Sequence, residues 1–258
     1  MEVAPSSEGK VAFVTGASAG IGEATARALA SNGADVALVA RREAALSRLS
    51  DELEDDYGID ALALPTDVRD YEAVAAAINA TAEAFGRLDV VVSNAGVNSE
   101  GFEKRMEEMS IADFRRVMEV NVFGMYYVTH AALPHIRASK GYLVFVGSSA
   151  AKFPRPGAPV YAGSKWWMRG FALSVEGHVG QDGVGVTLVN PTAVRTQMRA
   201  DELDPGEAAE PEGVAAVVAF AVAQKEHTTL SEIDLFRRDM LGKFIPAEFD
   251  LDLAYTPE

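Results

Sequence analysis

Residues 11–22 have the sequence VAFVTGASAGIG, which places an apolar, β-branched run directly before a cluster of glycines. The run at 11–15 predicts a buried strand, and a helical pattern follows the glycines over residues 23–32. Glycines in such a turn let the backbone approach a pyrophosphate closely, and the helix start offers free N–H groups and the positive end of its dipole. A glycine turn between a strand and a helix therefore predicts a dinucleotide-binding site.

Strands and helices alternate along the rest of the chain. Short apolar or β-branched runs predict strands at 35–40, 61–64, 90–93, 142–147, 184–190 and 232–236. Helical periodicity predicts helices at 43–57, 71–85, 111–138, 161–179 and 213–224, with Asp70 as an N-cap and a bend near Pro134. This alternation predicts an α/β fold: a doubly wound parallel sheet of the Rossmann type, with about seven strands and helices on both faces. Ligands of such sheets bind beyond the carboxyl ends of the strands.

Length and composition limit the class of protein. The 258 residues suit one α/β domain, and we predict a single unit over 1–258 with peripheral tails at 1–9 and 240–258. The chain has no cysteine and its four histidines form no ligand-spaced cluster, so we expect neither disulfides nor a metal site. The net charge of −15 argues against nucleic acid as a partner, because phosphates require basic surfaces. The acidic runs are interpreted as solvated surface, and the scarcity of lysine relative to arginine leaves adaptation to a high-salt cytoplasm as a second interpretation.

The sequence predicts a cytoplasmic protein without a membrane partner. Residues 1–8 lack the basic and apolar regions of a signal peptide. The longest apolar run, near residues 214–223, is too short to cross a bilayer.

The end of the second predicted strand bears on the choice between NAD and NADP. An acidic residue there would bind the ribose hydroxyls of NAD, and a basic one would bind the 2′-phosphate of NADP. Residues 39–42 are Val-Ala-Arg-Arg, without a carboxylate. We predict that Arg41 binds the 2′-phosphate with help from the Ser18 hydroxyl, and Arg42 is either a second contact or solvated. NADP is therefore favoured over NAD.

Tyr161 and Lys165 are four residues apart near the start of a predicted helix, so their side chains share one helical face. A nearby ammonium favours a phenolate and lowers the pKa of the phenol, which suits the pair to proton transfer at a substrate oxygen. Such a pair also arises by chance on solvated helices, and the surrounding motifs decide between the two interpretations.

With these motifs together, residues of about 10–237 resemble the short-chain dehydrogenase/reductase family in its compact, single-domain form. The glycine segment matches the family's Thr-Gly-x-x-x-Gly-Ile-Gly motif, and a later Asn-Ala-Gly follows the fourth predicted strand. The resemblance implies that this second motif supports the sheet and lies against the adenosine half of the cofactor, and that Asp67 bonds the adenine amino group; a turn carboxylate is the alternative for Asp67. The implied cofactor-binding residues in this half of the chain are Gly16, Ser18, Gly20, Ile21, Gly22, Asp67, Val68, Asn94, Ala95 and Gly96.

The resemblance also implies a catalytic set of Asn121, Ser148, Tyr161 and Lys165. Ser148 precedes Tyr161 by thirteen residues, the spacing common in the family, and Ser149 is the competing serine. In the implied mechanism Tyr161 exchanges a proton with the substrate oxygen, while Lys165 also bonds the nicotinamide ribose. Ser148 orients the carbonyl, and Asn121 helps to hold a water that links the lysine to solvent.

The chain departs from the family pattern after the sixth predicted strand. Pro191 is followed by Thr192 where the family commonly has glycine, which puts the fine geometry of the loop in doubt. Pro191, Val194 and Thr196 match positions that meet the nicotinamide. Substrate selection is expected in segments 97–102, 150–160 and 192–204, with Met198 as a lid contact.

The predicted function is an NADP(H)-dependent oxidoreductase that interconverts a carbonyl and an alcohol. The alternatives are a non-catalytic NADP-binding regulatory protein and an epimerase or dehydratase of the related extended family. The resemblance further implies a homodimer or homotetramer. Trp166 and Trp167 follow Lys165 directly, and we expect either one of them or both to lie in the core. The tail at 244–258 either packs across the subunit interface or stays mobile.

Overall fold

The computed structural model of the protein describes residues 7–99, 105–196, 208–224 and 228–236. Their strands are β1 Val11–Thr15, β2 Asp35–Ala40, β3 Ala61–Pro65, β4 Val90–Ser93, β5 Tyr142–Val146, β6 Gly185–Pro191 and β7 Glu232–Leu235. Their α-helices are α1 Gly20–Ser31, α2 Glu43–Tyr57, α3 Tyr71–Phe85, α4 Ile111–Met118, α5 Met125–Ser139, α6 Pro159–Val179 and α7 Pro211–Val222.

The strands of these residues form one seven-stranded sheet in the order β3-β2-β1-β4-β5-β6-β7, and every neighbouring pair is parallel. The order reverses between β1 and β4, so a crevice opens there at the carboxyl edge of the sheet. This is the edge at which doubly wound sheets bind ligands.

Side chains of successive strand residues point to opposite faces and build two cores. Val14 packs in a cluster with Leu29 of α1 and Val218 of α7, whereas the neighbouring Phe13 packs in a second cluster with Ile78 of α3. Phe13 and Ile78 are fully buried, and burial of such a side chain stabilises the fold by about 1.5–3 kcal/mol. Because each face carries its own layer of helices, the predicted doubly wound α/β fold is confirmed.

Several element boundaries agree with the sequence pattern, and the differences have local causes. The Asp70 carboxylate caps α3 by accepting a hydrogen bond from Ala73 N at 3.1 Å, as predicted. Helix α1 begins at Gly20 rather than residue 23, within the glycine turn. Helix α6 begins at Pro159 rather than residue 161, because proline is tolerated in the first turn of a helix.

The long helical pattern at 111–138 is not one helix. A π-helical segment, Glu119–Gly124, separates α4 from α5. Pro134, where the sequence predicted a bend, lies within α5. The interruption coincides with Asn121, whose side chain bonds outside the helix, and such π segments are frequent at functional sites.

The structure also bears on the two tryptophans of α6 and on a possible membrane span. Trp166 and Trp167 are 45% and 37% exposed, so the expectation that at least one lies in the core is wrong. Met198, residues 100–102 and the tail at 244–258 lie outside the described residues. Within the described ranges, the helices are either too short or too polar to cross a bilayer.

Candidate active site

The glycine turn has the shape that its sequence demands. Gly16 and Gly20 adopt positive φ angles of +69° and +59°, which side-chain-bearing residues rarely adopt. A Cβ on Gly16 would lie 2.7 Å from Asn94 Nδ2, and one on Gly22 would lie 2.3 Å from the Gly16 carbonyl oxygen. A Cβ on Gly20 would lie 3.0 Å from Thr196 Cγ2. The backbone of this turn is therefore a cradle that only glycines form.

Helix α1 begins inside this cradle without a side-chain cap. Ala19 precedes it in extended conformation and has no side-chain acceptor for the N–H groups of the first turn. Uncapped N–H groups and the positive end of the helix dipole suit an anionic group. The residues present thus fit the pyrophosphate of a dinucleotide.

The ends of β1 and β4 are joined across the crevice. The Thr15 hydroxyl donates to Val92 O at 3.2 Å and accepts from Asn94 N at 2.9 Å and Ala95 N at 3.0 Å. Asn94 Nδ2 in turn donates to Thr15 O at 2.9 Å. These bonds fix the Asn-Ala-Gly segment beside the glycine cradle.

The two arginines after β2 differ in their contacts. Arg42 Nε lies 3.1 Å from Ser18 Oγ, and its Nη2 donates to Ser18 Oγ at 3.0 Å and Ser18 O at 2.9 Å. The sequence paired Ser18 with Arg41 instead. Neighbouring side chains leave a strand end in different directions, and the sequence alone does not show which of them reaches Ser18.

Asp67 is engaged by an arginine that the sequence analysis did not single out. Arg69 donates to both carboxylate oxygens of Asp67, with Nη2 2.6 Å from Oδ2. The hydrogen bonds from Arg69 hold the pKa of Asp67 below its usual value, although partial burial opposes this effect. The carboxylate stays ionised near the place predicted for the adenine ring.

Asn121 is fully buried, and both the oxygen and the nitrogen of its side-chain amide form hydrogen bonds. Its Oδ1 accepts from Val97 N at 2.8 Å, and its Nδ2 donates to Val97 O at 2.9 Å and to Ser164 Oγ at 3.0 Å. The Ser164 hydroxyl donates to Tyr161 O at 2.7 Å. Asn121 thus links the loop after β4 to the first turns of α6. Sequence reasoning missed Ser164, and its place three residues after Tyr161 on the same helix was the available signal.

Lys165 lies close to the Tyr161 ring, with Nζ 5.7 Å from the ring centroid. The lysine is buried, and its Nζ donates to Val146 O at 3.1 Å. Burial lowers the pKa of Lys165 to about 8. Lys165 is therefore mostly a charged ammonium at pH 7, and it loses its proton as the pH rises through about 8.

Gly96 brings Lys165 and Asn121 to one point. A Cβ at Gly96 would lie 3.5 Å from Asn121 Oδ1 and 3.8 Å from Lys165 Nζ. The Asn-Ala-Gly segment, the π-helical segment and α6 therefore meet around this residue. Three of the sequence motifs converge at one site.

The two candidate serines after β5 have different environments. Ser148 is half-buried, and its Oγ accepts a hydrogen bond from Ala150 N at 3.1 Å. Ser149 is buried, and its Oγ accepts from Arg155 Nη2 at 2.9 Å. Ser148 thus has the more accessible hydroxyl of the two.

The departure at Thr192 causes no left-handed strain, because Lys140 is the only non-glycine residue with positive φ in the described ranges. Thr192 N donates to Leu235 O at 2.9 Å, so the turn after Pro191 is fixed to β7. Val194 forms a parallel bridge with Ala209.

In the part of the chain that the structure describes, no three histidine or acidic side chains are placed to hold a metal ion.

Comparison with known proteins identifies the family. The model of the short chain dehydrogenase family matches residues 10–206. This match covers well over half of the chain, and the chain therefore belongs to the short chain dehydrogenase family.

Three individual relatives show the extent of the similarity. It is 35% identical over 190 residues to 11-beta-hydroxysteroid dehydrogenase A of Sesamum indicum, a match that covers 74% of this chain and 54% of that protein. It is 34% identical to meso-2,3-butanediol dehydrogenase of Serratia marcescens, over 83% of this chain and 87% of that one. An alcohol dehydrogenase from Thermococcus sibiricus, solved with 5-hydroxy-NADP, superposes with a TM-score of 0.82 at 31% identity, over 88% of this chain and 95% of that one. The chain thus spans about half the length of the sesame protein and nearly all of the archaeal one.

Proposed function

We propose that this protein is an NADP(H)-dependent oxidoreductase that interconverts a carbonyl and an alcohol. The observation that carries the proposal is the buried Lys165 ammonium beside the Tyr161 ring, at the point where Asn121 and Gly96 meet. A bound nicotinamide supplies or accepts the hydride, and the protein supplies position and proton transfer.

The residues that would hold the cofactor lie along the carboxyl edge of the sheet. The glycine cradle would bind its pyrophosphate, the Asn-Ala-Gly segment and Asp67 would bind its adenosine half, and the residues of α6 would bind its nicotinamide half. The residues assigned to it are Gly16, Ser18, Gly20, Ile21, Gly22, Arg41, Arg42, Asp67, Val68, Asn94, Ala95, Gly96, Tyr161, Lys165, Pro191, Val194 and Thr196.

The preference for NADP rests on the cationic pair after β2. Arg42 is held against Ser18 by three contacts, and Arg41 lies exposed beside it. Two guanidinium groups at this strand end favour a 2′-phosphate, whereas NAD recognition there uses a carboxylate. The archaeal neighbour solved with 5-hydroxy-NADP supports the same choice.

Proton transfer is assigned to Tyr161. The charged Lys165 favours the phenolate form, so the phenol releases its proton to a substrate oxygen as hydride arrives at the carbon. Ser148 donates a hydrogen bond to the same oxygen and stabilises the charge that develops there. Asn121 holds the loop and helix that surround Lys165 and supports the return of the proton from solvent.

The substitution Tyr161→Phe tests this function, with Tyr57→Phe, at the exposed last residue of α2, as the control. We expect Tyr161→Phe to reduce turnover by about 10²–10⁴-fold while NADPH binding, followed by its fluorescence, stays within threefold of the parent. The control should behave as the parent. Turnover near the parental rate would refute the assignment, and NADPH binding without turnover of any carbonyl in the parent would support a regulatory protein.

We also infer that two copies associate through α5 and α6. Exposed aromatic side chains lie on these helices and on the adjoining π-helical segment: Tyr126 of α5, Trp166 and Trp167 of α6, and Phe123 of the π segment. Trp167 stacks on Phe171 with ring centroids 4.8 Å apart. Aromatic side chains of this kind are enriched in protein interfaces. Light scattering on the parent should give twice the chain mass or a multiple of it, and Tyr126→Glu should give the single chain. A monomeric parent would rule the association out.

A further inference from the structure

A buried asparagine outside the proposed catalytic set touches the backbone of Ser148. Asn190 lies near the end of β6 and is fully buried. Its Oδ1 accepts a hydrogen bond from Ser148 N at 3.3 Å, although the two residues are 42 positions apart in the chain. The bond reaches the residue that carries the proposed polarising hydroxyl.

Two carboxylates of β7 hold the other end of the Asn190 amide. Asn190 Nδ2 donates to Glu232 Oε1 at 2.7 Å and to Asp234 Oδ1 at 3.1 Å. Ionised carboxylates only accept hydrogen bonds, so they fix the amide with its NH₂ group toward β7. The amide oxygen is thereby directed at Ser148 N.

Two cations form ion pairs with these carboxylates. Arg169 of α6 donates to both oxygens of Glu232, at 2.8 Å from Nε and 3.0 Å from Nη2. Lys152, just after the Ser148 turn, lies 3.2 Å from Glu232 Oε1 and 2.6 Å from Asp234 Oδ2. Burial tends to raise the pKa of Glu232, but hydrogen bonds from Arg169, Lys152 and Asn190 outweigh burial and lower it. The four charges are balanced.

The residue before Ser148, Gly147, also packs closely against the Asn190 amide. A Cβ at Gly147 would lie 2.3 Å from Asn190 Oδ1, so glycine is the residue that leaves room for the amide. Arg169 and Lys152 already neutralise the two carboxylates without Asn190. The additional effect of the amide is therefore to link Ser148 N to Glu232 of β7, which Arg169 of α6 in turn holds in place.

We propose that Asn190 is a positioning residue for Ser148, and that Glu232 and Asp234 set the direction in which its amide acts. This inference rests on the proposed function, in which Ser148 polarises the substrate carbonyl. Asn190 itself does not touch the substrate, so its effect passes through the serine hydroxyl alone.

A double-mutant cycle of Asn190→Ala and Ser148→Ala tests the proposal. In the parent background we expect Asn190→Ala to lower kcat by ~10- to 100-fold, since small misplacements of catalytic groups have effects of this size. The dissociation constant of NADPH should change by less than threefold. In the Ser148→Ala background the same change should lower kcat by less than threefold, because the hydroxyl that it positions is already absent.

Multiplicative losses in the cycle would overturn the proposal, as would a loss confined to NADPH binding. Either result would show that Asn190 acts on the fold or the cofactor rather than through Ser148. If Ser148→Ala alone leaves kcat unchanged, the proposed role of Ser148 fails first and the positioning role falls with it. The cycle therefore separates the two failures.

Glu232→Gln is the second variant, which keeps the test decisive if Asn190→Ala does not fold. It preserves the shape of the side chain but removes the charge that Arg169 and Lys152 hold. We expect a smaller loss in kcat, ~3- to 10-fold, again only where Ser148 is present. Asp182→Asn, which breaks the exposed ion pair with Arg137 at 2.9 Å, is the matched control and should leave kcat unchanged. An equal loss from Glu232→Gln with and without Ser148 would contradict the proposal.

Discussion

The two halves of the candidate site are built in opposite ways. The cofactor half, around β1, α1 and β4, depends on missing atoms: at Gly16 and Gly22 a single added carbon would contact backbone or a fixed amide at under 3 Å. The catalytic half, around β5, α6 and β7, depends on added groups, since Lys165 and Asn190 are buried polar side chains with several partners each. Local sterics dominate the first half, and long-range electrostatics dominate the second.

This difference predicts what substitution does in each half. Adding atoms should break the cofactor half, whereas removing polar atoms should break the catalytic half, and at Lys165 it should also relieve a cost in stability. Three experiments examine the contrast, beginning with the largest expected effect.

Lys165→Met should remove an ammonium that the reaction uses and whose burial destabilises the folded state. We expect a loss of turnover of about 10²–10⁴-fold. The fall of the Lys165 pKa from 10.5 to about 8 corresponds to a cost of about 3 kcal/mol at pH 7, at 1.36 kcal/mol per unit, so the variant should be more stable by up to that amount. Urea unfolding of parent and variant measures the gain.

The pH dependence of that gain has a defined sign. Between pH 8 and 10.5 the unfolded chain binds more protons at Lys165 than the folded one, so the stability of the parent rises with pH in this window. The advantage of Lys165→Met should therefore shrink to under about 1 kcal/mol at pH 10. An advantage of the same size at pH 7 and pH 10 would contradict the assignment of the cost to the buried charge.

Gly22→Ala should act on the cofactor half by adding one carbon. Its Cβ would lie 2.3 Å from the Gly16 carbonyl oxygen, so the turn must shift. Overpacking of this kind typically costs about 1–3 kcal/mol. If the turn must return to its present shape to bind the pyrophosphate, this cost raises the NADPH dissociation constant by ~5- to 150-fold. Gly177→Ala on α6, where a Cβ meets nothing within 4 Å, is the control and should gain up to about 1 kcal/mol in stability. Unchanged NADPH affinity in Gly22→Ala would show that the cradle tolerates the added atom.

Arg42→Ala and Arg41→Ala separate the two arginines, with the smallest expected effects. The contacts of Arg42 with Ser18 lead us to expect a rise of ~10-fold in the NADPH dissociation constant for Arg42→Ala, with NADH affinity unchanged. Arg41→Ala should have the smaller effect on NADPH. A larger loss of NADPH affinity from Arg41→Ala would favour the pairing of Arg41 with Ser18 that the sequence predicted. Equal losses of NADPH and NADH affinity would show that these arginines do not act through the 2′-phosphate.

The sequence was most informative where structure is local. The bounds of β1, β2, α2, α3 and β4 follow from periodicity, and the Asp70 cap follows from the preference of aspartate for that position. It was less informative where packing decides. The helical pattern at 111–138 gives no sign of the π segment, because that break accompanies the bonds between Asn121 and Val97, 24 residues earlier.

The sequence by itself determined the alternation of strands and helices, the glycine cradle and the shared face of Tyr161 and Lys165. Each of these depends on neighbours within a few residues, whose geometry backbone sterics and helical periodicity fix. Only the tertiary structure decided that Arg42 reaches Ser18 and that Asn190 joins Ser148 to β7. Those contacts bring together residues 24 and 42 positions apart, and their existence depends on the packing of whole elements, which no local pattern encodes.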